Sequence, residues 1–110
     1  MDFSKLSDNE KDIIMNNLSE NLPILRKKSG MTQDDLAKQL GVTRQTIVNI
    51  ESRKTKLNWA MAISIIMFFM LNSATLALLV PLGILTKSVF KNIPILGGVI
   101  GFLGTKFKKD

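Results

Sequence analysis

The sequence predicts an all-α fold, and three observations carry that expectation. Apolar residues recur at helical spacing (Leu36, Ala37 and Leu40; Ile47 and Ile50), and no stretch of any length alternates in the way of a β-strand. A Ser, Thr or Asn able to cap a helix precedes each such stretch (Ser7, Thr32, Thr43, Asn58). Glycines punctuate the ends at Gly30 and Gly41. With 110 residues and no internal repeat, the chain has room for one domain with a real core. The expected organisation is a bundle of about five helices. A helical N-terminal extension covers 1–20, the main domain 21–80, and an apolar, Gly-rich, Lys-ended extension 81–110.

Taken in order, Ser7 and Glu10 have capping-box spacing and predict a helix from about Asp8 to Leu18, with Ile13, Ile14 and Leu18 on one face. A second helix is expected from about Leu22 to Ser29. Pro23 fits its first turn, where the missing N–H would have no partner anyway. Thr32, with Asp35 three residues on, starts a third that runs to Leu40, and Gly41 breaks it where the backbone needs positive φ. Thr43 caps a fourth, Arg44 to about Ser52. Its Ile47 and Ile50 point inward, while Arg44, Gln45, Thr46 and Asn49 are left outside. A basic loop, Arg53-Lys54-Thr55-Lys56, follows. Asn58 then caps a helix from Trp59, Asn72-Ser73 separates it from the next, and Pro81 and Gly83 punctuate that one.

Charge is unevenly distributed. Residues 1–22 carry two Lys against five acids, a net of −3; residues 23–56 carry eight bases against three acids, +5; residues 57–110 carry five Lys against one acid, +4. The compact basic segment in the middle makes phosphate a natural partner. The absence of Cys and His removes disulfides, thiolate nucleophiles, imidazole bases and the usual zinc sites. No catalytic constellation and no pocket-forming polar group stand out, so neither an enzyme nor a cofactor or metal is expected. The first 20 residues are polar and acidic, unlike a secretory signal, and the expected setting is cytoplasmic.

The string Arg26-Lys-Lys-Ser-Gly-Met-Thr-Gln33-Asp-Asp-Leu-Ala37-Lys-Gln-Leu-Gly41-Val-Thr43-Arg-Gln-Thr-Ile47-Val-Asn-Ile50-Glu51 resembles the phage-repressor-like helix-turn-helix family of the Cro/Xre type. The resemblance implies a lambda-repressor-like bundle whose second motif helix lies in the major groove of double-stranded DNA. Outward Arg44 has the geometry to pair bidentately with guanine and Gln45 with adenine. Asn49, one turn on, reaches a base edge or a phosphate, and Thr46 suits a backbone or thymine-methyl contact. By the same resemblance Gln33 touches phosphate and buttresses the recognition helix, and Arg26 forms an internal ion pair with Glu51. Thr43, Arg53, Lys54 and Lys56 are the remaining candidates for phosphate contacts. The implied role is a small dimeric transcriptional regulator of a bacterium or phage.

From Leu57 to Thr86 there is no charged residue. Trp59, Ala62, Ile63, Ile65, Ile66 and Phe69 suffice for a core face, yet Met61, Met67, Phe68 and Met70 are apolar as well. Such a helix is buried on every side or in lipid. Three readings stand: a homodimer interface through those four residues, a membrane segment, or burial under the Gly-rich tail. The run exceeds the ~20 residues that span a bilayer and follows a basic loop, but Asn58, Ser64, Asn72, Ser73 and Thr75 interrupt it. The tail's last lysines, Lys106, Lys108 and Lys109, suit an anionic membrane surface or a poorly ordered terminus. The alternative function is therefore a membrane-associated or protein-interaction module using residues 57–110.

Overall fold

The computed structural model describes residues 3–92, which form six helices and no strand. These are α1 (Asp8–Lys28), α2 (Gln33–Leu40), α3 (Arg44–Glu51), α4 (Trp59–Met70), α5 (Ser73–Leu79) and α6 (Lys87–Lys91). Helix α1 is the spine. It packs against α3, α4 and α5, while α2 packs on α3 and α5 on α4.

The two helices expected between Asp8 and Ser29 are one. Helix α1 has 21 residues, starts in a full capping box (Ser7 with Glu10), and carries Pro23 in its interior. The Pro removes the N–H that would bond the carbonyl of Ser19 and costs about 3 kcal/mol or more. Against that, Ile14, Leu18, Leu22 and Leu25 form one stripe along the unbroken helix, and the last three are fully buried. At about 1.5–3 kcal/mol each, their burial outweighs the defect. The helix carries the chain through residue 20 without a break. Ile13, expected on the inner face with Ile14, lies a helical step outside the stripe and is 52% exposed.

Three chain reversals share one device. After α1, Gly30 donates to Lys27 and Met31 to Arg26; after α2, Gly41 donates to Lys38 and Val42 to Ala37; after α5, Gly83 donates to Val80 and Ile84 to Leu79. Each pairs a left-handed glycine with an apolar residue that turns back to the core, the Schellman arrangement. Gly83 has a second reason to be glycine: a Cβ there would sit 2.8 Å from Asn17 Nδ2. That amide donates to the Gly83 carbonyl at 3.1 Å and pins the end of the α5 region onto α1.

The uncharged run is cut into short pieces. Helix α4 has 12 residues and α5 has seven, and among the described residues no helix is long and apolar enough to cross a membrane. Asn72 caps α5, and the buried Thr75 hydroxyl donates to the Phe69 carbonyl at 2.7 Å, so α5 folds back along α4. That fold-back corrects one member of the proposed dimer or membrane face. Met70, at the end of α4, is buried in the chain's own core (7% exposed). Met61, Met67 and Phe68 are half-buried. In the described part of the C-terminal extension, Ile84, Leu85 and Val89 enter the core. The Gly-rich stretch and the lysines after it lie outside the described residues.

Candidate nucleic-acid interface

The expected motif forms as two eight-residue helices with a tight turn between them. Thr32 and Asp35 make a reciprocal capping box: the Thr32 hydroxyl accepts from the Asp35 N–H at 3.0 Å, and the Thr32 N–H donates to the Asp35 carboxylate at 3.0 Å. The backbone bond, then the Thr32 side chain, holds the Asp35 carboxyl below the ordinary aspartate range. Ala37 is buried between the helices, and Gly41, at φ +72°, lets the chain reverse into Thr43. Thr43 caps α3 by accepting from the Thr46 N–H at 3.2 Å, and the two hydroxyls lie 2.9 Å apart.

This scaffold leaves Thr43, Arg44 and Gln45 exposed and Thr46 and Asn49 half-buried. Gln45 donates through Nε2 to Asn49 Oδ1 at 2.9 Å, one turn along. Bonded in this way, the pair still presents a carbonyl acceptor on Gln45 and amide N–H donors on Asn49. An acceptor beside a donor is what an adenine edge requires.

Behind that surface lies a polar network joining three helices. Arg26, at the end of α1, donates to Glu51 at the end of α3 through Nε (2.8 Å) and Nη2 (3.1 Å), a bidentate ion pair with side chains only 12% and 8% exposed. The third arm, Nη1, donates to the Met31 carbonyl at 3.0 Å. Gln33, the first residue of α2, donates to Glu51 Oε1 at 3.1 Å and accepts from Arg44 at 3.4 Å. The expected ion pair is thus present. Gln33 links it to the exposed arginine of α3.

The basic loop is less open than the sequence suggested. Arg53 has φ +65°, and its backbone N–H donates to Ile50 while that of Lys54 donates to Asn49. The chain after α3 therefore ends in the same Schellman pattern, with Arg53 in glycine's place. Its guanidinium donates to the Asn16 side-chain oxygen of α1, and Lys56 lies 3.8 Å from the Asp12 carboxylate. Lys54 is exposed. Neither contact to α1 leaves a local signal in the sequence, since the partners are 37 and 44 positions apart.

The family model for the helix-turn-helix matches residues 24–69, from the last turns of α1 almost to the end of α4. An uncharacterized HTH-type transcriptional regulator of Methanocaldococcus jannaschii is 42% identical over 52 residues, or 47% of this chain and 79% of that protein. The chain belongs to the helix-turn-helix family. No solved structure gives a significant match. The helix-turn-helix match covers Arg26, Gln33, Arg44, Gln45, Asn49, Glu51 and the basic loop, but begins after the first four turns of α1. Asp12, Asn16 and Asn17 stand outside it.

Proposed function

We propose that this protein binds double-stranded DNA sequence-specifically and acts as a small transcriptional regulator, with α3 seated in the major groove. The observation that carries this reading is the solvent-facing set Arg44, Gln45 and Asn49, mounted on the largely buried Arg26–Glu51–Gln33 network. Exposed donors and acceptors on a rigid helix read base edges well, because little side-chain and backbone freedom is lost on docking. The relative's description as a transcriptional regulator points the same way. Thr46 supplies a small contact beside the base readers. Gln33, Thr43, Arg53, Lys54 and Lys56 contact phosphate and set the register without reading sequence. The protein acts as a homodimer that matches a two-fold operator, with half-buried Met61, Met67 and Phe68 supplying the apolar contact between copies.

Fluorescence-anisotropy titration of duplex DNA at several salt concentrations tests the phosphate part of the reading. With the three loop cations engaged in each protomer of the dimer, six phosphate contacts give a log–log slope of at least about −5.4, so affinity falls roughly 2,000-fold between about 50 and 200 mM salt. Binding that does not respond to salt overturns it.

A further inference from the structure

Helix α1 begins well before the part of the chain matched to the family, and its early turns are acidic: residues 8–22 hold Asp8, Glu10, Asp12 and Glu20 against Lys11 alone. One flank of these turns faces the loop after the recognition helix across an open groove of about 560 Å³. Asp12, Asn16 and Ser19 line one wall and Arg53, Lys54 and Lys56 the other. Across it two of the loop's three cations are already engaged, Arg53 by the Asn16 oxygen and Lys56 by the Asp12 carboxylate. Arg53 does so from left-handed backbone (φ +65°), which disfavours a non-glycine residue by about 1–2 kcal/mol. The position favours glycine on conformational grounds, and the side chain that stands there instead reaches α1.

We propose that the early turns of α1 are a built-in competitor for the DNA backbone: Asn16 and Asp12 offer oxygen acceptors to Arg53 and Lys56, which those cations must leave to take phosphate. The inference rests on the proposed function, since it needs Arg53 and Lys56 to bind phosphate. A guanidinium or ammonium binds an oxygen of α1 through the same donors that it would give to a phosphate, and the phosphate wins by its charge. Removing the α1 acceptors therefore raises DNA affinity and leaves the number of phosphates contacted unchanged. The exposed Lys56–Asp12 charge pair is worth about 0.2–1 kcal/mol, and the exposed Arg53–Asn16 hydrogen bond is of the same order, so the gain is about 1.5- to 5-fold for each contact.

The decisive variant is Asn16→Ala, because it changes no charge and replaces an exposed helix residue by a better helix former. Asn16→Ala and Asp12→Asn are compared with the full-length wild type in duplex-binding titrations, with Glu20→Gln as control. Glu20 is exposed on the same helix outside the groove, so its variant matches Asp12→Asn in net charge. The expected result is binding about 1.5- to 5-fold tighter for Asn16→Ala, with thermal stability and salt slope maintained, and a larger gain for Asp12→Asn than for Glu20→Gln. If α1 instead holds the loop in its DNA-binding shape, Asn16→Ala weakens binding, and the proposal is overturned. Unchanged affinity in Asn16→Ala, or equal gains in Asp12→Asn and Glu20→Gln, overturns it while wild-type binding leaves the DNA-binding reading standing. Absence of binding in wild type and variants alike overturns both.

Discussion

Replacing Glu51 by Ala removes three hydrogen bonds at one stroke: two from Arg26, at 2.8 and 3.1 Å, and one from Gln33 at 3.1 Å. What remains matters more than what is lost. The Arg26 side chain is only 12% exposed and keeps its bond to the Met31 carbonyl, so a guanidinium is left poorly solvated and without a counter-charge. Stranding a buried charge in this way costs about 3–5 kcal/mol. For a domain of this size, with an unfolding entropy of about 2 cal/mol/K per residue, that loss lowers the melting temperature by roughly 15–25 °C. The double variant Arg26→Met with Glu51→Leu removes both charges and recovers most of the loss, because a buried ion pair is worth little net against apolar side chains of similar volume. Circular-dichroism melts of the single and double variants check both parts. A single variant that loses under about 1 kcal/mol, or a double variant no better than the single, refutes the stranded-charge argument.

Three further outcomes follow from particular contacts. Because the Asp35 carboxyl is held below its ordinary range by Thr32, its contribution is complete above the unfolded-state value and is lost as pH falls through the lowered folded value. Asp35→Asn should therefore flatten the acid limb of a stability–pH profile measured by urea unfolding. Gly83→Ala meets both a left-handed backbone and a Cβ 2.8 Å from Asn17 Nδ2, so it should destabilise by about 1–2 kcal/mol. Adding Asn17→Ala relieves the steric share but also removes the Asn17–Gly83 hydrogen bond, so it should not restore wild-type stability. Met67→Glu, on the half-buried face of α4, should convert a dimer to folded monomer in light scattering; a dimer that survives the change removes α4 from the interface.

The helix-turn-helix was legible because its signals are local. The caps at Thr32 and Thr43, the left-handed Gly41 and the inward Leu36, Ala37, Ile47 and Ile50 all act within a few residues. Family resemblance supplied the Arg26–Glu51 pair, which spans 25 positions and which no periodicity reveals. The misreadings share one cause, namely that tertiary burial overrides local propensity. Pro23 is a helix breaker by local rule, yet Leu22 and Leu25 find the same core as Leu18, and the helix runs through. Met70 looked surplus because α5's return along α4 depends on the buried Thr75 hydroxyl and the Asn72 cap. The sequence also hides that Arg53, a candidate for phosphate, bonds Asn16 of α1. Its left-handed backbone and its bond to Asn16 exist only once α1 and α3 have packed.

If α3 reads bases as proposed, discrimination measures this more directly than affinity does. Duplexes selected from a random pool by the wild-type protein supply the preferred site. Binding to that site is then compared with binding to single-base variants for wild type and for Arg44→Ala with Gln45→Ala. Each lost bidentate contact relaxes discrimination at its own base pair by about 1–3 kcal/mol, roughly 5- to 150-fold, while the salt slope changes by no more than about one unit. A folded double variant that keeps the wild-type preference at every position would contradict the account.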